Sequence, residues 1–164
     1  MVIASHVKDG LEMAEELGLP EEVKQFIPQH HGTSLIKFFY AKAKERGEDV
    51  DESAFRYPGP KPRTKEAAIV MFADSVEAAA KSLKDPTEDN IRRVVEEVMT
   101  YMIEDGQLDE APLTLAELRK IAEVFIQTLA AIYHKRVEYP DLEEFRGKND
   151  TKQTKKTQDK PSAN

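Results

Sequence analysis

The chain has 164 residues, enough for one domain with a buried core, and is 40% hydrophobic and 34% charged with a net charge of −7. Cysteine is absent, which excludes a disulfide framework and a thiolate metal site and leaves nitrogen and oxygen ligands of the kind that suit Mn, Fe, Mg, Ni or some zinc sites. The acidic balance argues against a binder of nucleic-acid polymers, and no apolar run approaches the ~20 residues of a membrane span.

Met1-Val2-Ile3-Ala4-Ser5-His6-Val7 opens with an apolar run already under way and no N-cap before it, so it reads as the middle of a helix. His6 is either a structural histidine among apolar neighbours or a ligand. Asp9-Gly10 is expected to bend the chain before a second amphipathic segment, with Leu11, Ala14 and Leu17 at helical spacing and Gly18 at its end. Pro20-Glu21-Glu22 suits the first turn of a further helix, whose apolar stripe is Val23, Phe26 and Ile27. That helix runs into Gln29-His30-His31-Gly32-Thr33. Successive residues on a helix are turned by about 100°, so adjacent imidazoles can share one pocket only at a helix end. Imidazole is also the commonest metal ligand at neutral pH. Thr33 or Ser34 is expected to cap the next helix, Leu35 to about Arg46.

Gly47 to Arg63 reads as a loop, acidic at first and then punctuated by prolines that stiffen it. Its Arg56, Tyr57, Lys61 and Arg63 could offer cations to phosphate and a ring to a base; equally, the loop could be a surface connection pinned by its aromatics. Thr64 is the expected N-cap of a helix through Ala80 that is apolar almost all round and is expected to be buried around most of its circumference. Asp74 lies in its middle. A carboxylate kept in a core is paired or metal-bound, so Asp74 either meets an arginine or lysine or joins the histidines. Thr87-Glu88-Asp89 starts a helix with Ile91, Val94, Val95, Val98, Met99 and Met102 inward. Asp105-Gly106-Gln107-Leu108 is a turn. A last helix runs from Leu115 to about Val137, with Leu118, Ile121, Ala122, Phe125, Leu129 and Ile132 on its buried side. Residues 1–146 form the expected domain, and 147–164 are a polar tail expected to be disordered. With no repeat, no Gly-rich phosphate loop and no strand-like alternation, the fold class is all-α.

Several of these stretches, taken in order, resemble the HD superfamily of metal-dependent phosphohydrolases. They are Ile3-Ala4-Ser5-His6-Val7-Lys8-Asp9-Gly10, Gln29-His30-His31-Gly32-Thr33, Phe55-Arg56-Tyr57-Pro58-Gly59-Pro60, Phe72-Ala73-Asp74-Ser75-Val76-Glu77-Ala78-Ala79, Asp105-Gly106-Gln107-Leu108 and His134 through Pro140. More narrowly they are similar to the cytoplasmic HD domain of the seven-transmembrane-HD cyclic-di-AMP phosphodiesterases. The resemblance implies an HD-domain-like helical bundle. It implies metal ligands at His6, His30, His31 and Asp74, and two divalent ions, Mn or Fe, that activate a water to open cyclic-di-AMP to the linear dinucleotide. Arg56 and Tyr57 are the candidates for substrate contact. His134 and Arg136 match a family stretch without a role attached.

The departure is as informative. The family is named for a His-Asp dyad whose aspartate bridges the metals, and this sequence contains no His-Asp step. The dyad and the family's membrane segments would lie before Met1, so the chain is expected to match an N-terminally truncated HD domain with weak or no activity and one bound ion or none. A non-catalytic metal- or nucleotide-binding module, or a fragment dependent on a partner, is the alternative. A truncated core also predicts exposed apolar surface along Val2, Ile3 and Val7, and hence a homodimer. The resemblance implies a cytoplasmic location.

Overall fold

The fold is built on caps and apolar stripes that switch on seven α-helices and one 3-10 turn within residues 2–47 and 49–133, which a computed structural model describes, side chains of residues 2–4 aside. The expectations for His134, Arg136, the chain end at Tyr139-Pro140 and the polar tail fall outside these residues.

The three long C-terminal helices follow the sequence closely, except that Ile132, expected on the buried side of the last one, is exposed in its final turn. Thr64 caps α5 (Lys65–Lys81) by accepting the Ala67 N–H at 3.1 Å, and Thr87 caps α6 (Glu88–Glu104) through the Asn90 N–H at 3.3 Å. In α7 (Leu115–Tyr133), Glu117 reaches back to the Thr114 N–H at 2.9 Å while Thr114 Oγ1 accepts the Glu117 N–H, a capping box. The three helices bury one core: Met71, Phe72, Val76 and Ala80 of α5, Ile91, Val95 and Met102 of α6, and Ala122, Ile126 and Leu129 of α7. Each fully buried aliphatic side chain contributes about 1.5–3 kcal/mol, so this core outweighs any single polar contact at the surface. Thr64→Ala is expected to lower stability by about 1 kcal/mol without changing helix order, measurable as a shifted urea midpoint at constant m-value.

The N-terminal third departs from the sequence reading. Asp9-Gly10 does not bend the chain; α1 runs unbroken from Val2 to Glu16. A Cβ at Gly10 would meet Ile27 Cγ2 at 3.2 Å, so the glycine serves the packing of the His-bearing segment against α1 and not a turn. The helix expected after Pro20 is two short ones, α2 (Glu21–Lys24) and α3 (Phe26–Gln29). Pro28 has no N–H to give to the Lys24 carbonyl, and the hydrogen-bond ladder breaks there. Neither Thr33 nor Ser34 caps α4, which spans Lys37–Glu45 behind Ile36 with no side-chain cap. Ser34 instead donates its hydroxyl to the His31 carbonyl at 2.7 Å, and Leu35 forms an isolated antiparallel bridge with Arg56.

Two further expectations are corrected. Val7 is buried, which removes it from the expected apolar surface. Helix α5 is not buried around most of its circumference: Ile69 and Val70 are exposed, and so is Asp74, with 46% of its side chain open to solvent. The apolar residues on that side outnumber those the core can cover, because only one stripe of a helix faces inward.

Between α4 and α5 the proline loop is tied down at intervals. Lys61 pairs with Asp109 at 3.6 Å, Arg63 with Glu110 at 3.0 Å, and Lys65 with Glu117. The Arg63 N–H also donates to Oε1 of the buried Gln29 at 2.8 Å, joining the loop to α3. Among the described residues no helix is long and apolar enough to cross a membrane.

Candidate metal centre

Helix α3 ends at His30, which is its C-cap, and the chain then turns through His31 and Gly32. Gly32 has φ of +54°, and a Cβ there would lie 2.5 Å from Gln107 Oε1, so both conformation and space require glycine. This corner gives the adjacent imidazoles a common direction. Their ring centroids are 3.9 Å apart. Helix α1 brings His6 up to both: His6 Nε2 is 3.3 Å from His30 Nε2 and 3.1 Å from His31 Nε2.

The proton positions follow from the outer partners. His30 Nδ1 lies 2.6 Å from the Ile27 carbonyl, which can only accept, so Nδ1 carries the hydrogen and Nε2 keeps its lone pair. His31 Nδ1 faces an Asp74 carboxylate oxygen at 3.4 Å, and the same logic leaves its Nε2 as a lone pair. Burial, reinforced by the charges His30 and His6 would carry, pushes the His31 pKa down to about 4, so its imidazole is neutral near pH 7. Two lone pairs therefore aim at His6 Nε2, which as a neutral ring has at most one hydrogen to give. The arrangement suits a cation better than it suits hydrogen bonding.

The spacing agrees. Two nitrogens bound to one divalent ion at about 2.1 Å stand roughly 3.0–3.4 Å apart for angles between octahedral and tetrahedral. Among the described residues, His6, His30 and His31 are the group whose ligand atoms fall within 4.8 Å of one another. Asp74 flanks this trio through His31, in the position of a carboxylate that orients a metal-binding histidine.

Tyr57 covers the other side. Its ring stacks on His31 at 4.2 Å with a 26° tilt and meets His6 edge-on at 6.2 Å. Burial, with Asp74 nearby, raises the phenol pKa, so Tyr57 stays a protonated donor. Next to Asp74 opens a cavity of about 360 Å³, within the range of small-molecule sites. Ser34, Lys37, Asp74, Ser75, Glu97 and Tyr101 supply its polar lining over Leu35, Met71, Ala78, Val98 and Met102. The Lys37 ammonium lies 3.1 Å from the Tyr101 ring centroid, and burial lowers its pKa against the opposing pull of Asp105.

Of the residues singled out in the sequence, the fold thus gathers His6, His30, His31, Asp74 and Tyr57. Arg56 is turned elsewhere. Its Nε donates to Glu52 at 3.0 Å, one terminal nitrogen to the Thr33 carbonyl and Asp105 at 2.9 and 3.0 Å, and the other to Glu52 and Asp105, both at 2.7 Å. All five guanidinium N–H groups are taken up inside the protein, and none is left over for a phosphate. Burial pushes the Asp105 carboxyl up, but hydrogen bonds from Arg56 and Gln107 and the Arg56 charge outweigh it and hold it below the usual range. Three supports, Gln29, Asp105 and Gln107, lie in stretches that the sequence reading singled out without giving these residues a role. Gln107 is fully buried, although its sequence setting is that of a polar turn.

This fold and its histidine cluster belong to the HD-domain family, whose family model, described as HD domain, matches residues 2–79. HD domains are metal-dependent, in keeping with the trio. The chain is 48% identical over 140 residues to the cyclic-di-AMP phosphodiesterase PgpH of Bacillus subtilis and 45% identical over 140 residues to that of Listeria monocytogenes. Each alignment covers 85% of this chain and 20% of the relative, so the chain spans about a fifth of the curated relatives' length. The crystal structure of the L. monocytogenes PgpH HD domain in complex with cyclic-di-AMP matches with a TM-score of 0.78 at 44% identity, over 84% of this chain and 65% of that one. A second structure of that HD domain gives a TM-score of 0.76 at 44% identity over 81% and 62%. The helical bundle and the likeness to the PgpH HD domain therefore agree.

Proposed function

We propose that this chain carries the histidine half of the metal centre of a cyclic-di-AMP phosphodiesterase. The convergence of three imidazole Nε2 atoms, 3.1 and 3.3 Å from His6, carries the reading. The donor set, imidazole nitrogens with one flanking carboxylate and no sulfur, fits Mn or Fe in the divalent state. His6, His30 and His31 hold the ion, and Asp74 is the acidic member of the set. A divalent ion there supplies Lewis acidity toward a phosphoryl oxygen and a water of lowered pKa.

The remaining residues prepare the substrate. Tyr57 donates its phenol hydrogen to a phosphoryl oxygen, and its stack on His31 keeps the donor beside the histidines. The cavity past Asp74 receives a nucleobase, and Lys37 at its wall offsets phosphate charge. Arg56 acts behind the site and not on the substrate.

The resemblance implies a second ion bridged by the aspartate of a His-Asp dyad, and these 164 residues contain no such step. The chain on its own therefore binds metal and dinucleotide but turns cyclic-di-AMP over weakly or not at all. The second reading is a non-catalytic binding module, or one that depends on a partner for its dyad.

One assay separates these outcomes. The purified chain is incubated with cyclic-di-AMP and Mn²⁺, with product followed by chromatography and binding by calorimetry. Binding without turnover is expected. Rapid formation of the linear dinucleotide would overturn the impairment while leaving the substrate assignment in place. Absence of both Mn²⁺ and dinucleotide binding would overturn the site itself.

A further inference from the structure

The metal-centre reading leaves the Asp105-Gly106-Gln107 turn without a role, yet the turn reaches across the fold to the histidine corner. The Thr33 peptide, immediately after Gly32, is gripped at both ends. Its N–H donates to Gln107 Oε1 at 2.9 Å, and its carbonyl accepts from Arg56 at 2.9 Å. The two grips are then joined. Gln107 Nε2 donates to Asp105 Oδ2 at 2.8 Å, and Arg56 donates to both oxygens of the same carboxylate at 3.0 and 2.7 Å. Thr33, Gln107, Asp105 and Arg56 thus close a ring of hydrogen bonds around the backbone of one residue. Gln107 Nε2 also donates to Thr33 Oγ1 at 3.0 Å.

Two features show what the ring restrains. Gln107 is fully buried and Asp105 has 12% of its side chain exposed, so these bonds work with little competition from water. The corner's other backbone bonds are short-range, Gly32 N–H to the Gln29 carbonyl and Ser34 N–H to the His31 carbonyl, both at 3.1 Å, whereas the ring ties it to a distant turn. The short helix α3 precedes it, and Gly32 follows in a left-handed conformation that adds no side-chain contact of its own. Without the ring, the chain after Gly32 would keep only its short-range bonds, and the aim of the two Nε2 atoms would be less sharply set.

We infer that Gln107, locked by Asp105 and Arg56, is a positioning residue that holds His30 and His31 in metal-binding geometry. This rests on the metal-centre reading and adds to it a support 74 residues away in sequence. Outer partners of metal ligands typically alter affinity by ~10–100-fold, and that is the size expected here.

The test uses the full chain and Mn²⁺ alone. Gln107→Met keeps the side-chain volume and removes every hydrogen bond of the amide. It is expected to raise the Mn²⁺ Kd by ~10–100-fold and to multiply or broaden the His30 and His31 side-chain ¹⁵N signals. Val95→Ala, which opens a cavity in the remote core, serves as the stability control. It is expected to lower the melting temperature and leave the Mn²⁺ Kd and the histidine signals unchanged. A folded Gln107→Met that binds Mn²⁺ as the natural chain does would overturn the positioning role, as would equal weakening by Val95→Ala. If Gln107→Met does not fold, Arg56→Ala, which releases the other end of the Thr33 peptide, decides by the same criteria. Failure of the unmodified chain to bind Mn²⁺ would instead overturn the metal-centre reading on which the inference stands.

Discussion

His6→Ala is expected to abolish tight Mn²⁺ binding, raising Kd by more than ~100-fold, beyond the ~10–100-fold typical of outer partners. The expectation comes from the asymmetry of the trio. His30 and His31 are fixed by their own outer contacts, the Ile27 carbonyl and Asp74, and by the corner they share. His6 arrives from another helix and is the group that both their lone pairs face. Removing it takes away one of three nitrogens and leaves the other two on a single edge of the ion. The substitution costs the fold little, since His6 is exposed and alanine is the best helix former. Electron paramagnetic resonance of Mn²⁺, titrated against His6→Ala, His30→Ala and Lys8→Ala on the same helix, separates loss of a ligand from loss of charge. Both histidine variants should leave Mn²⁺ free, and Lys8→Ala should bind as the natural chain does. Retention of binding by His6→Ala would remove it from the ligand set.

The long helices were legible because their information is local. A threonine three residues before the N–H it accepts, an apolar stripe at period 3.6 and a proline between segments need no knowledge of the rest of the chain. The errors fall where a distant contact decides. Gly10 reads as a bend, but Ile27 packs where its side chain would be, so the helix continues. Ser34 reads as a cap, but the His31 carbonyl takes its hydroxyl. The site shows the same division. His30 and His31 stand out because adjacent imidazoles at a glycine have few other reasons to exist. Their meeting with His6 spans 24 and 25 residues and came from resemblance, not from spacing. Asp74 was singled out as a carboxylate trapped in a core; it lies beside His31, but on an exposed face. For Arg56, composition shows a cation in a stiff loop and is silent on direction. Gln107 lay in a stretch that carried the resemblance but had no role attached, because an amide beside a glycine turn is usually solvated, and only the tertiary structure shows it buried.

Acidification is expected to destabilise the metal-free chain in the window between pH 6.5 and pH 4, through His31. An unfolded histidine titrates near 6.5, whereas His31 in the fold titrates at about 4 because burial, and then the neighbouring imidazoles, disfavour its charged form. Between those values the unfolded chain takes up a proton that the folded chain does not. Stability must therefore fall as pH falls, with the full benefit present above pH 6.5 and none below pH 4. A shift of this size corresponds to about 3 kcal/mol at 1.36 kcal/mol per unit, and the 20% of the ring that meets solvent places the effect at the lower side of that figure. Carboxylates add to the fall only at the acid end of the window: Asp105, against the pull of burial held below its ordinary value by hydrogen bonds from Arg56 and Gln107, and Glu117 and Glu123, held down by hydrogen bonds from Lys65 and Arg92, lose their contributions from the ordinary carboxylate range downward. Urea unfolding of the chelator-treated protein at half-unit steps from pH 7 to pH 4 reads the slope directly. His31→Gln, neutral at every pH, should flatten it, and a slope unchanged in that variant would assign the loss to other groups. Mn²⁺ should move the acid limb to lower pH, because an ion on Nε2 competes with the proton for the same lone pair.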